Sequence, residues 1–253
     1  MLVSPSKKFI FIKAPKTAGS SVEAALRRYC VNFDPESDPT IGGHYWRQSV
    51  SEAGIATDMD PSTPSVLTIR PHSSTEQIRK ILPPPIFANY LKIYIVREPY
   101  DRAVSLFWWR LQAKHPTEFE HLRQVHTGKV RRRFRQFIFT EAKLLRWSAI
   151  ARFVPPADLG TTSFQIRYER LNDDYLTLLN RLGVADAYPL PRHKTEIRRA
   201  DLDVRDYYDP VTTRLLQKYW KEDFNLHYMR RLSRRKKFLS LERLSRARGS
   251  LDV

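Results

Sequence analysis

Lys7-Lys8-Phe9-Ile10-Phe11-Ile12-Lys13-Ala14-Pro15-Lys16-Thr17-Ala18-Gly19-Ser20-Ser21, followed at once by Val22-Glu23-Ala24-Ala25-Leu26, decides how this chain is read. The apolar run Phe9 to Ile12 has the length of a short buried strand. The loop after it holds Lys16, Gly19 and the hydroxyls of Thr17, Ser20 and Ser21, and then a helical pattern begins. A strand–loop–helix of this kind leaves backbone N–H groups and a cation at a helix N-terminus, where an anionic group is held. The ordinary ATP loop, G-x-x-x-x-G-K-[ST], places its Lys directly after the second Gly. Here Lys16 lies three residues before the only loop glycine. The expected ligand is therefore a phosphate or a relative of one, and the Lys placement argues against ATP hydrolysis.

Working outward, 253 residues suffice for one large α/β domain with a full core. A hydrophobic share of 42% separates the chain from disordered sequences. No apolar run reaches the roughly 18–20 residues of a membrane span, and Phe9–Ile12 is too short for a signal-peptide core. The single cysteine, Cys30, excludes an internal disulfide or a Cys-based metal cluster. These features predict a soluble, cytoplasmic protein.

The net charge is +17. Residues 230–253 carry nine Lys/Arg against two acids, a net of +7, so the other +10 lies on the rest of the chain. Basic surfaces attract polyanions of many kinds, so the charge alone does not choose a partner. The division expected is one domain over 1–229 and a basic helix or tail over 230–253, with peripheral contact to an anionic membrane open to that tail.

Residues 31–65 are rich in Pro, Asp, Ser and Gly and read as irregular structure. Val66–Ile69, Leu91–Val96 and Ser163–Tyr168 read as strands. Helices are expected from Ser73 or Ser74 to Leu82, Tyr100 to Ala113, across 117–150, from Leu171 to Leu182 with Gly183 closing it, and over Pro210–Trp220. Residues 184–203 read as loop. Strands alternating with helices predict a single α/β domain with a central parallel sheet covered on both faces.

A second anion-reading element is Ile95-Val96-Arg97-Glu98-Pro99-Tyr100-Asp101-Arg102-Ala103-Val104-Ser105. Arg97 ends a strand and Ser105 sits on the early turns of the next helix, so both converge above the strand ends where ligands of open α/β sheets gather. A guanidinium fork with a hydroxyl suits a phosphate.

The pairing of Pro15–Ser21 with Val96–Ser105 resembles the sulfotransferases, nearest to the branch with carbohydrate sulfotransferases and bacterial relatives. Similarity extends through Arg167–Leu171, Leu190–Thr195, Asp206–Tyr208 and Lys221–Phe224. The resemblance implies 3′-phosphoadenosine 5′-phosphosulfate (PAPS) as donor and adenosine 3′,5′-bisphosphate as product, without a metal. It implies that Lys16, Thr17, Ala18, Gly19, Ser20 and Ser21 wrap the 5′-phosphosulfate. Arg97 and Ser105 would hold the 3′-phosphate, and Arg192, Lys194 and Thr195 would close over the cofactor.

The implied reaction is in-line attack of a hydroxyl, of a carbohydrate or glycolipid acceptor with or without acidic groups, on sulfur. Lys16 would then neutralise charge growing on the leaving oxygen. The attacking hydroxyl needs a base, with His72 the first candidate, His44 the second and Glu169 the third. Trp108 and Trp109 read as core with an acceptor-lining alternative, and Arg131–Arg133 as a solvated helix face with an acidic-substrate alternative. Arg102 and Glu169 read as structural ion-pair partners. The competing functions are a P-loop-like nucleotide kinase and a non-enzymatic polyanion- or nucleic-acid-binding protein, the last being the less favoured partner class.

Overall fold

The computed structural model describes residues 1–30, 49–51, 54–56, 72–158, 162–185, 188–191 and 201–227. The sheet is built on β2 (Phe9–Ile12), β5 (Leu91–Val96) and β6 (Ser163–Arg167). These three are parallel neighbours, with Phe11 opposite Ile93 and Ile93 opposite Phe164. On the other side of β2, β1 (Leu2–Ser4) runs antiparallel, followed outward by β4 (Gly54–Ala56) and β3 (Ser49–Ser51). The full order is β3-β4-β1-β2-β5-β6.

The parallel centre agrees with the sequence expectation, and the antiparallel half is an addition to it. Strand β1 escaped notice because three residues carry too little pattern. Strands β3 and β4 correct the reading of 31–65 as wholly irregular. Expected strand Val66–Ile69 lies outside the described residues.

Alternation along the central strands explains why they read as unbroken apolar runs. Phe9, Phe11, Ile93, Ile95 and Ile166 pack with Val22, Ala25 and Leu26 of α1 (Gly19–Arg27) and Leu178 and Leu179 of α9 (Leu171–Arg181). Ile10, Ile12, Tyr94 and Val96 face the opposite layer. That layer holds Ile78 of α2 (Thr75–Arg79), Phe87 of α3 (Pro84–Asn89), and Ile150 and Phe153 of α8 (Ile150–Phe153). Both faces are covered, so no polar face is needed.

Local chemistry sets the helix ends. Ser74 and Gln77 form a capping box on α2, which ends at Arg79 instead of running on to Leu82. Gly183, with φ of 63°, closes α9 as Val184 N–H reaches back to the Leu179 carbonyl. Glu98 caps α4 (Pro99–Lys114), accepting from Asp101 N–H at 2.7 Å, and Pro99 occupies the first turn, where its missing N–H costs nothing.

A third, aromatic-rich core surrounds α4. The expected helical stretch 117–150 is four helices: α5 (Pro116–Gln124), α6 (Thr127–Thr140), α7 (Ala142–Trp147) and α8. Pro116 starts one, and His126 caps another by accepting from Gly128 N–H. Phe107 meets Phe134 and Phe137 edge-on, and α10 (Pro210–Tyr219) contributes Leu216. Beneath this layer Arg102 pairs with Asp223, with the two residues 1% and 2% exposed. Asp223 also accepts from the N–H groups of Ile150 at 2.8 Å and Ala151 at 2.9 Å. Arg102 is thus the structural ion-pair partner expected of it. Residues 228–253 lie outside the described residues, so the basic tail does too.

Candidate functional site

The loops leaving β2, β5 and β6 at their C-terminal ends meet over one cavity of about 1500 Å³. Its wall includes Lys16, Ala18, Gly19, Ser20, Ser21, His72, Arg97 and Ser105, so the sequence-predicted residues that fall among those described converge, Thr17 excepted. His44, Arg192, Lys194 and Thr195 lie outside the described residues.

The loop after β2 has an uncommon backbone. Lys16 and Ala18 both adopt left-handed conformations, with φ of 61° and 64°. Non-glycine residues held there are strained and gather at functional sites. Ala18 is the N-cap of α1, and no side chain caps the helix. The first backbone bonds at this end run from Ser21 and Val22 to the Ala18 carbonyl. The N–H groups of Gly19 and Ser20 therefore have no acceptor among the described residues, and they face the partial positive end of the helix dipole.

Gly19 is required by space, because a Cβ there would lie 2.7 Å from Lys13 Cγ. Lys13 is 3% exposed and its ammonium rests 2.5 Å from Glu23. Burial raises the Glu23 pKa, but Lys13 and the Met1 ammonium outweigh it and hold the carboxylate down at about 2. Lys13 passed without notice in the sequence, where a lysine beside a strand reads as surface. Thr17 turns away from the cavity and donates to the Ala14 carbonyl at 3.0 Å, so its hydroxyl shapes the loop.

Arg97 joins the two motifs physically. Its Nη1 donates to the Lys16 carbonyl at 3.2 Å, its Nε to Asp101 at 2.6 Å, and its guanidinium carbon lies 3.9 Å from the Tyr168 ring centre. Asp101 orients the fork and Tyr168 backs one face, leaving Nη2 without a partner among the described residues. Ser105, one helical turn beyond Asp101, lines the same wall.

His72 stands at the other side of the loop. Its Nδ1 lies 3.0 Å from the Lys13 carbonyl. A carbonyl only accepts, so Nδ1 keeps the proton and Nε2 is left as the basic nitrogen. Burial, aided by the Lys13 charge, lowers its pKa to about 4, so the ring is neutral at pH 7. Glu169, the third base candidate, lines the cavity but accepts from Glu98 N–H at 2.6 Å, which binds it to the start of α4. That hydrogen bond replaces the ion pair expected of Glu169.

Trp108 is fully buried and donates to Tyr207 at 3.0 Å, whereas Trp109 lines the cavity with Lys16 Nζ 5.9 Å from its ring. The spacing of Asp101, Ser105 and Trp109, each four residues apart, is the signal that distinguishes them. Trp147 also lines the cavity and had no such signal, since α7 reaches the site only through tertiary packing. In the 131–133 cluster, Arg131 donates to the Asp206 carbonyl and Arg133 pairs with Glu118, leaving both to structural work.

Among the described residues no group of acidic, Cys and His side chains could hold a metal, and no helix is long and apolar enough to cross a membrane. A family model described as the sulfotransferase family matches residues 1–228. Compared with curated proteins and with solved structures, the chain gives no match.

Proposed function

The chain belongs to the sulfotransferase family, and from that premise we propose that it moves a sulfuryl group from PAPS to a hydroxyl of a carbohydrate or glycolipid acceptor. The observation that carries this reading is the bond from Arg97 to the Lys16 carbonyl at 3.2 Å. It holds an anion-binding helix terminus and a guanidinium fork side by side on one cavity, as a ligand phosphorylated at two places requires.

The residues fit such a donor. The uncapped start of α1, the left-handed Lys16 and Ala18, and the crowded Gly19 form a cradle of N–H groups suited to a phosphosulfate. Arg97 and Ser105 would hold the 3′-phosphate. The donor supplies an activated sulfuryl group, and the side chains do the rest. Lys16 would set a positive charge against the leaving oxygen, an effect typically worth about 3 kcal/mol of barrier. His72 Nε2, unprotonated at neutral pH, would take the proton from the attacking hydroxyl. Anion binding in the cradle would raise its proton affinity toward the working range. A cytoplasmic location completes the reading.

Thermal unfolding with adenosine 3′,5′-bisphosphate, with ATP–magnesium and with an oligonucleotide tests the reading. A ligand specific to the native state raises the midpoint by mass action. A rise with the bisphosphate alone is expected. A rise with ATP–magnesium and none with the bisphosphate would sink the sulfotransferase reading in favour of a kinase.

A further inference from the structure

Lys13 borders the cavity, yet its side chain is only 4% exposed and its ammonium rests 2.5 Å from Glu23. Lys13 follows directly on β2, and Glu23 stands on the second turn of α1, so their ion pair clasps the intervening loop at both ends. Between those ends the lysine stem runs beneath the first turn of α1. Its Cγ lies 2.7 Å, and its Cδ and Cε 3.4 Å, from the place a Cβ on Gly19 would take. The stem is thus the floor under the turn that carries the Gly19 and Ser20 N–H groups. The Lys13 carbonyl takes the Nδ1 proton of His72 at 3.0 Å. One residue therefore meets the loop, the helix start and the histidine.

Stability does not account for this pair. Desolvating two charges offsets most of their attraction, and apolar side chains of similar volume would hold the fold as well. What the pair adds is charge at a fixed place. Glu23 also takes the Met1 ammonium at 2.8 Å, so one carboxylate meets two cations and a positive surplus is held under the loop. That surplus favours an anion above it and opposes a proton on His72, which Lys13 disfavours after burial does. The Met1 ammonium acts in the same sense and Glu23 against it. The rings of Trp147 and Phe153, 6.3 Å and 6.2 Å from that of His72, add no charge.

We propose that Lys13 is a positioning residue of sulfuryl transfer: its stem and its ion pair with Glu23 keep the loop in the anion-binding form, its carbonyl keeps Nε2 as the basic nitrogen of His72, and its buried charge strengthens the hold on the donor. This rests on the sulfotransferase reading above. The two lysines of the loop divide the work by burial. Lys16 sets its ammonium on the cavity side, 5.9 Å from the Trp109 ring, whereas that of Lys13 is held by Glu23, which is not part of the wall. Lys13 acts through Gly19, Glu23 and His72.

The test compares the parent with Lys13→Met and Lys13→Arg. Lys13→Met keeps an unbranched stem and leaves Glu23 paired with the Met1 ammonium, so no charge is stranded. Urea unfolding first checks that each variant folds, and Lys13→Gln replaces Lys13→Met should that one fail. Calorimetry measures binding of adenosine 3′,5′-bisphosphate, and proton NMR follows the His72 ring, assigned with His72→Gln. Lys13→Met should bind the bisphosphate about tenfold more weakly or worse, and Lys13→Arg, which keeps the charge, within about threefold of the parent. The His72 midpoint should rise from about 4 by about one pH unit in Lys13→Met, so that at pH 5 about half of the rings are protonated, against about a tenth in the parent. A prop without an electrostatic part would leave that titration unmoved. Unchanged bisphosphate affinity or an unchanged His72 midpoint in Lys13→Met, or equal losses in Lys13→Arg, overturns this proposal alone. A parent that does not bind the bisphosphate overturns the sulfotransferase reading and this proposal with it.

Discussion

Replacing Gly19 by alanine should destabilise the protein, although glycine-to-alanine changes at a helix start usually help. The new Cβ would sit 2.7 Å from Lys13 Cγ and 3.4 Å from Cδ and Cε. Lys13 is buried and its far end is tied to Glu23 at 2.5 Å, so a change of rotamer that moved Cγ aside would break that ion pair. Forcing extra volume into a packed site costs about 1–3 kcal/mol. Against this stands a gain of about 0.5–1 kcal/mol from helix preference and reduced unfolded-state entropy. The net loss is about 1–2 kcal/mol, a fall in Tm of about 2–8 °C for a chain of this size.

The reverse exchange one position earlier gives the control. Ala18 has φ of 64°, so Ala18→Gly relieves a left-handed strain of about 1–2 kcal/mol while adding about 0.4–1 kcal/mol of unfolded-state entropy. It should be neutral or slightly stabilising. Urea and thermal unfolding of both variants beside the parent decide the matter. Gly19→Ala equal to or more stable than the parent would refute the close-packing account of the loop, and equal losses in both would refute its site-specific form.

Other outcomes follow from the same geometry. Lys16→Ala should lower turnover by about 10²–10³-fold with stability changed by less than about 1 kcal/mol, and retained turnover would remove Lys16 from the chemistry. His72 is protonated more readily in the unfolded chain, near pH 6.5, than in the native state, near pH 4. Native stability should therefore fall as pH drops through that window, by up to about 3 kcal/mol, with no contribution above it. In urea titrations at pH 7 and pH 4.5, His72→Gln should lose about 2 kcal/mol less than the parent, and equal losses would show that His72 is not buried neutral. Asp223→Ala strands the buried Arg102 and should cost about 3–5 kcal/mol in urea unfolding, whereas a loss under 1 kcal/mol would mean that the pair is not energetically isolated from water.

The central strands and the two elements that line the cavity, the Lys16–Gly19 loop and Arg97…Ser105, were legible in the sequence because each is local. Phe9–Ile12 and Leu91–Val96 are apolar on consecutive residues, and the Lys16–Gly19 loop and the Arg97…Ser105 spacing lie within a few turns of them. Strands β1, β3 and β4 were not legible, since three-residue strands gain stability only from neighbours already in place. The long helical reading over 117–150 missed its breaks because periodicity persists across short caps.

By itself, then, the amino-acid order determined the strand–loop–helix at Phe9–Leu26 and the second motif at Arg97–Ser105. Folding decided what joins them. The Arg97 contact to Lys16 spans 81 positions, that of His72 to Lys13 spans 59, and Arg102 meets Asp223 across 121. No local propensity encodes such pairs, because they form only when the parallel sheet brings its strand ends together. The neutral ring of His72 and the place of Trp147 on the cavity wall come into being at that step, from burial and packing that a linear pattern does not contain.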